Sequence, residues 1–179
     1  MEFSPGEQQL ESGNDGNTTT PKPDPNTYWV VPGKLLVGEY PGARDPEEAR
    51  SRLRKFLAAG VRHFIDRTEV GELTPYAELL AEEVGSGTSY ERFPIRDVSV
   101  PEEPKTMAEI ITTIDRAMAE GGIIYVHCWG GIGRTGLAVA CWLQERGQTP
   151  DEALTDPPIN GARAQNLSDC QTHLKPPSK

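Results

Sequence analysis

The stretch "IIYVHCWGGIGRTGLAVACWL", Ile123 to Leu143, decides how the rest of the chain is read. Its first four residues form an apolar run of strand character, suited to burial on both faces of a sheet. His127 and Cys128 follow, then Trp129, Gly130, Gly131, Ile132 and Gly133, and then Arg134-Thr135 at the start of a helical pattern. A loop with three glycines between a strand and a helix can curl so that successive N–H groups face one centre. The helix adds its positive end at the same place, which makes the loop an anion cradle. Arg134, in the first helical turn, can offer its planar guanidinium to two oxygens of a phosphate. Cys128 then lies beneath the anion, where the amides, the helix end and Arg134 favour thiolate over thiol.

The neighbouring segments place this loop in an alternating fold. Two short β-like runs, Tyr28 to Val31 and Lys34 to Val37, hinge at Pro32-Gly33. "DPEEARSRLRKFLAAG" predicts a helix capped by Asp45, with Pro46 in its first position, Glu48 closing a capping box and Gly60 as its stop. The strand "VRHFID" follows, then a helix with a Thr74 cap, then a strand from about Ser89 to Ile95. A third helix is expected to open with Thr106 and Glu109 as its capping box and to end at Gly121-Gly122. Strand and helix alternation implies right-handed crossovers, so the fold class is α/β with a central, mostly parallel, twisted sheet flanked by helices. In such sheets ligands bind outside the carboxyl ends of the strands, where His127 and Cys128 sit.

With 179 residues the chain has room for one ordinary domain and a tail. Residues 1–26 hold five acids, a single Lys22 and almost no apolar side chains, the composition of a disordered acidic tail. A net charge of −9 with scattered Lys and Arg argues against nucleic acid or an anionic membrane as partner. No leader and no long apolar run are evident. Cys128, Cys141 and Cys170 show neither a disulfide framework nor zinc spacing, so a reducing, cytoplasmic setting is expected, with no metal and no cofactor.

"HCWGGIGRT" resembles the signature of the cysteine-dependent protein tyrosine phosphatase superfamily, His-Cys-x-x-Gly-x-x-Arg followed by Ser or Thr. His127, Cys128, Gly131, Arg134 and Thr135 fall on its fixed positions. The likeness extends over "YWVVPGKLLVGEYPGA", "VRHFIDRTE" and "FPIRDVSVP", about residues 28 to 150, and is nearest the compact dual-specificity branch. By that resemblance Cys128 attacks phosphorus to give a cysteinyl-phosphate, and residues 129–134 with Arg134 bind the phosphoryl oxygens. Asp97, 31 positions before Cys128, serves as general acid and then base. Thr135 assists the leaving sulfur, and His127 tunes the cysteine without touching substrate. Asp66, Glu102 and Glu103 are rival acids, Asp66 being better suited to structural bonding, and Trp129 either rims the pocket or packs on the surface. Cys141 reads as core.

The expected domains are a tail over 1–26, a phosphatase-like catalytic domain over 27–155 and an irregular segment over 156–179. In the last segment Pro157-Pro158 break the helix begun at Thr149, and Gln165 and Gln171 align with no family position. The expected function is a protein phosphatase acting on phosphotyrosine, with phosphoserine and phosphothreonine as further substrates and a phosphorylated protein or peptide as partner. The alternatives are a phosphate-binding scaffold with little turnover, or a phosphatase of a phosphoinositide, inositol phosphate or RNA 5′ phosphate.

Overall fold

The computed structural model describes residues 20–84 and 87–148. Five strands and four helices run in the order β1 (Thr27–Val31), β2 (Leu35–Gly38), α1 (Pro46–Ala58), β3 (Val61–Asp66), α2 (Ala77–Val84), β4 (Ser89–Arg92), α3 (Pro104–Glu120), β5 (Ile123–His127) and α4 (Gly133–Gln144). The sheet order is β1-β2-β5-β3-β4. Only β1 is antiparallel to its neighbour, because the Pro32-Gly33 turn, with Gly33 at φ 69°, folds it straight back onto β2. The other three pairings are parallel. The mostly parallel α/β sheet expected from the sequence is therefore the fold.

Alternate residues of β5 feed two cores. Ile124 and Val126 join Ile65, Ile110, Ile114, Leu137 and Val139 under α3 and α4. Tyr125 joins Phe64, Leu53, Phe56 and Leu80 under α1 and α2. This period of two leaves β5 buried on both faces, as its apolar run requires. Truncating a side chain such as Ile114, wholly buried in α3, costs about 2–5 kcal/mol by lost transfer energy and the cavity it leaves.

The starts of α1 and α3 follow local chemistry and that of α2 a tertiary contact. Asp45 caps α1 by accepting from the Glu48 amide at 2.9 Å, with Pro46 at the first position, as the sequence implies. The helix expected to be capped by Thr74 begins instead at Ala77. The Thr74 carbonyl is taken by the Tyr40 hydroxyl, and Tyr76 turns into the core. Similarly, α3 starts at Pro104 rather than with a Thr106 cap, since Pro104 has the first-turn φ preset and Glu109 pairs with Lys105 at 3.3 Å instead. β4 ends at Arg92, short of the expected Ile95. Residues 20–26, expected as the end of the tail, include Thr20, whose carbonyl accepts from Trp29 Nε1, and Asp24, which turns the chain into β1. The expectations at residues 1–19 and for the C-terminal segment lie outside the described residues, as do Gln165 and Gln171. Among the described residues no helix is long and apolar enough to cross a membrane.

Candidate active site

β5, β3 and β4 end side by side, so the loops that follow them, residues 128–132, 67–76 and 93–103, meet at the carboxyl edge of the sheet. Cys128 is buried at the base of the first loop as a free thiol. Among the described residues, no amide from residues 129–135 donates to another protein group; the first hydrogen bond of α4 runs from Gly136 N to Ile132 O at 2.9 Å. A row of unpaired donors followed by a helix start is a site prepared for an anion. One glycine is essential to that shape. Gly131 has φ 71°, and a Cβ there would overlap the backbone of Gly38 and lie 2.6 Å from Glu39 N. Gly130 and Gly133 face open space, so of the three glycines only Gly131 is forced by backbone geometry. The loop is pinned to the end of β2 a second time by Tyr40 N donating to Trp129 O at 2.9 Å.

Arg134, buried in the first turn of α4, is held from three directions. Glu72 binds its Nη1 and Nη2 at 2.7 and 2.6 Å, Ile95 O accepts from Nη1 at 2.9 Å, and Asp97 Oδ1 lies 3.2 Å from Nη2. This end-on clasp occupies Nη1 and one hydrogen of Nη2. Nε has no protein partner among the described residues, so the Nε–Nη2 edge is the one left for paired phosphate oxygens, with Asp97 beside Nη2. Burial works against the Arg134 charge, but Glu72, the sulfur of Cys128 and Asp97 outweigh it and raise its pKa. The hydrogen bond from Arg134 in turn holds the Glu72 carboxyl below its usual range. On the far side of Glu72 a cleft of about 460 Å³ opens, lined by Tyr40, Arg44, Leu73 and Pro75 among others.

His127 points to the opposite face of the sheet from Cys128. Its Nε2 meets the Tyr76 hydroxyl at 2.6 Å and its Nδ1 the Cys128 carbonyl at 3.3 Å. Burial pushes its pKa down to about 4, so the ring is neutral at physiological pH. Burial also raises Tyr76 well above its usual value, so the phenol keeps its proton and donates to Nε2, leaving Nδ1–H to donate to Cys128 O. Asp66 lies 4.0 Å from His127 Nε2 and accepts from the Thr68 amide and hydroxyl, Tyr90 and Arg92. Burial pulls its pKa upward, but His127 and the bonds from Tyr90 and Thr68 outweigh that and hold it low.

The model for PTP-SAK, the Swiss Army Knife protein DSP-PTPase phosphatase domain, matches residues 24–177. The chain belongs to this DSP-PTPase family. A curated relative, protein 067L of Invertebrate iridescent virus 3, whose name assigns it provisionally to the tyrosine phosphatases, is 29% identical over 120 residues, 64% of this chain and 44% of that protein. The chain thus spans under half the length of that relative. Among solved structures, Tk-PTP in its active form is 24% identical with a TM-score of 0.66, covering 84% of this chain and 96% of its own. PTPMT1 in complex with PI(5)P is 18% identical with a TM-score of 0.64, covering 83% and 94%. Both structures share the fold with this DSP-PTPase domain.

Within the DSP-PTPase domain, the loop, Cys128, Arg134, Thr135 and Asp97 come together at one end of the sheet, and His127 adjoins them from the other face. Trp129 and Ile132 point outward, 62% and 51% exposed, so Trp129 stands at the rim. Of the rival acids, Asp66 is fully enclosed in hydrogen bonds and Glu103 forms the start of α3. Cys141 is buried in α4, as its reading as core implies, and is disulfide-bonded, which the spacing of the three cysteines does not announce. Pairing depends on approach in space, which sequence spacing does not report. Sequence reasoning missed Glu72, Arg67 and Tyr76. Each lies in the stretch after β3 and reaches the loop only through the parallel β3–β5 pairing, and no local motif marks them.

Proposed function

We propose that this domain is a phosphomonoester hydrolase acting on phosphotyrosyl proteins, with phosphoserine and phosphothreonine as further substrates of the same route. One observation carries the reading: a buried free cysteine lies beneath a loop of unpaired amides whose arginine is held ready by Glu72. Cys128 Sγ attacks phosphorus as the bond to the leaving oxygen breaks, and Asp97 donates the proton that oxygen needs. The loop amides and the Nε–Nη2 edge of Arg134 hold the equatorial oxygens, with no rearrangement as charge builds. Water then attacks the cysteinyl-phosphate, Asp97 takes its proton, and the S–P bond breaks with Thr135 donating to the departing sulfur. Neutral His127 steadies the loop through the Cys128 carbonyl. The catalytic unit in this reading is residues 27–155, and it needs no metal.

The four large apolar side chains that stand exposed among the described residues, Val70, Val98, Trp129 and Ile132, all lie on the three loops around this site. Such a rim suits the flanks of a macromolecular phosphoester better than a small, highly charged inositol phosphate. The test is a panel of phosphotyrosyl, phosphoseryl, phosphoinositide and RNA 5′-phosphate substrates in EDTA, run with the unmodified protein and with Cys128→Ser. Turnover of phosphotyrosyl peptide that vanishes in Cys128→Ser is the expected result. Undiminished turnover in that variant rejects the mechanism, and preference for phosphoinositide rejects the substrate class. Binding of phosphopeptide without turnover makes the domain a scaffold.

A further inference from the structure

Four buried side-chain atoms lack a hydrogen-bond partner among the described residues: Tyr28 Oη, Arg67 Nη1 and Nη2, and Thr135 Oγ1. Arg67 is the most demanding of the three side chains. It is wholly buried, and its only bond is from Nε to Phe93 O at 3.3 Å. Leaving a guanidinium in that state costs several kcal/mol unless a countercharge lies close by.

The sheet register identifies where that charge must come from. β3 and β5 pair Ile65 with Val126 and Asp66 with His127, and Arg67 N donates to His127 O at 2.9 Å, one step further along. Residues in register on parallel strands share a face. Asp66 and His127 face Tyr76 on the α1–α2 side, so Arg67 and Cys128 share the α3–α4 side, the side of Ile65 and Val126. Tyr28 arrives on that same face, through its register with Val37 and that of Val37 with Val126. The unpaired groups of Arg67 and Tyr28 thus lie on the face of the sheet that carries Cys128.

Among the described residues no carboxylate hydrogen-bonds the Arg67 guanidinium. Asp66 is on the other face, spent on Thr68, Tyr90 and Arg92. Glu72 and Asp97 are engaged by Arg134. Tyr28, on the face of Cys128, is raised above its usual range, chiefly by burial, and stays neutral, as does His127 on the other face. Tyr125 of β5 is likewise raised by burial, and from α3 Asp115 turns away to Trp142 and Arg146. The group left on that face to supply a countercharge is the Cys128 thiol.

We propose that Arg67 is a positioning residue, the buried counter-cation that keeps Cys128 ionised from the side of the sheet, opposite the side on which substrate arrives. Burial pushes the guanidinium down to about 9, with Cys128 drawing it up, Arg134 pressing it down and Asp66 drawing it up from across the sheet, so it remains charged through the neutral range. Because Arg67 touches no substrate, its charge stays with the sulfur when Arg134 turns to the phosphoryl oxygens. It also favours departure of the sulfur as thiolate when the cysteinyl-phosphate is hydrolysed. The inference rests on Cys128 being the nucleophile.

The test follows alkylation of Cys128 by iodoacetamide from pH 4 to 9, read by mass spectrometry of its peptide, in the full chain and in Arg67→Met and Arg67→Lys. In Arg67→Met the midpoint should rise by about one pH unit, so that alkylation below it slows about tenfold. Arg67→Lys should keep the midpoint near that of the unmodified protein, and the acid limb of kcat/KM should move with it. A parallel measurement needs no variant: the 15N side-chain resonances of Arg67 should shift at the midpoint of Cys128, and this measurement decides if Arg67→Met does not fold. An unmoved midpoint in folded Arg67→Met, or resonances that stay flat, overturns the proposal. Turnover surviving in Cys128→Ser would instead strike the hydrolytic reading and leave the thiol–guanidinium coupling to be judged by alkylation.

Discussion

The two faces of the sheet at its carboxyl edge treat polar groups in opposite ways. On the α1–α2 side Asp66, Thr68, Tyr76, Tyr90, Arg92 and His127 close into a network in which each donor meets an acceptor. On the α3–α4 side, that of Cys128, Arg67 Nη1 and Nη2, Tyr28 Oη and Thr135 Oγ1 meet no partner among the described residues. A satisfied network fixes a shape, whereas unsatisfied groups raise the energy of an empty site and reserve their bonds for an anion. In the proposed mechanism the two residues side by side in the chain, His127 and Cys128, thus serve different ends: one anchors the loop and the other is held for reaction.

The most severe way to break the contrast is Cys128→Ser, which should lower kcat for phosphotyrosyl peptide by about 10⁴ or more in steady-state assays. Asp97→Ala comes next, with kcat for a phosphoryl ester of a poor leaving group falling about 10²- to 10⁴-fold and that for p-nitrophenyl phosphate falling less, since p-nitrophenoxide needs little protonation. On the satisfied face, Asp66→Ala strands Arg92 and the Tyr90 hydroxyl, and denaturant unfolding should show a loss of about 3 kcal/mol.

pH sharpens the same comparison. His127 has its pKa at about 4 when folded, against 6.5 unfolded. Between those values the unfolded chain binds a proton that the folded chain refuses, so stability declines as pH drops from about 6.5 towards 4, by about 3 kcal/mol in all, and this contribution levels off below. His127→Gln should remove that slope in urea titrations across this window. The smallest effect is expected at Val98, a β-branched residue at φ 54° beside Asp97. Val98→Gly relieves that backbone and should raise stability by about 1 kcal/mol, offset in part by the greater freedom of glycine when unfolded, as measured by thermal melting.

How much of this was legible in the sequence depends on the range of the interaction concerned. Asp45, Pro46 and Glu48 announce α1 because cap and partner lie within four residues. The run Ile123–Val126 and the glycine loop announce the strand, the turn and the cradle for the same reason. Thr74 and Thr106 misled because Tyr40, 34 positions away from Thr74, claims its carbonyl, and because Pro104 starts α3 early. Glu72 and Arg67 were invisible for a stronger reason. Their meaning arises only when β3 is laid beside β5, and an isolated Glu or Arg after a strand has no pattern that separates a clasp from an ordinary surface charge.

The contact between Gly131 and Gly38 also bears on how the loop can be rewritten. Two stretches 93 positions apart meet there without room for a single carbon between them. A library randomising residues 129–133 should therefore return wide diversity at 129, 130 and 132 and near-fixation at 131, with relaxation there requiring β2 to yield first. Specificity engineering in this molecule has its freedom at the lip of the cradle and its hard stop at the seam.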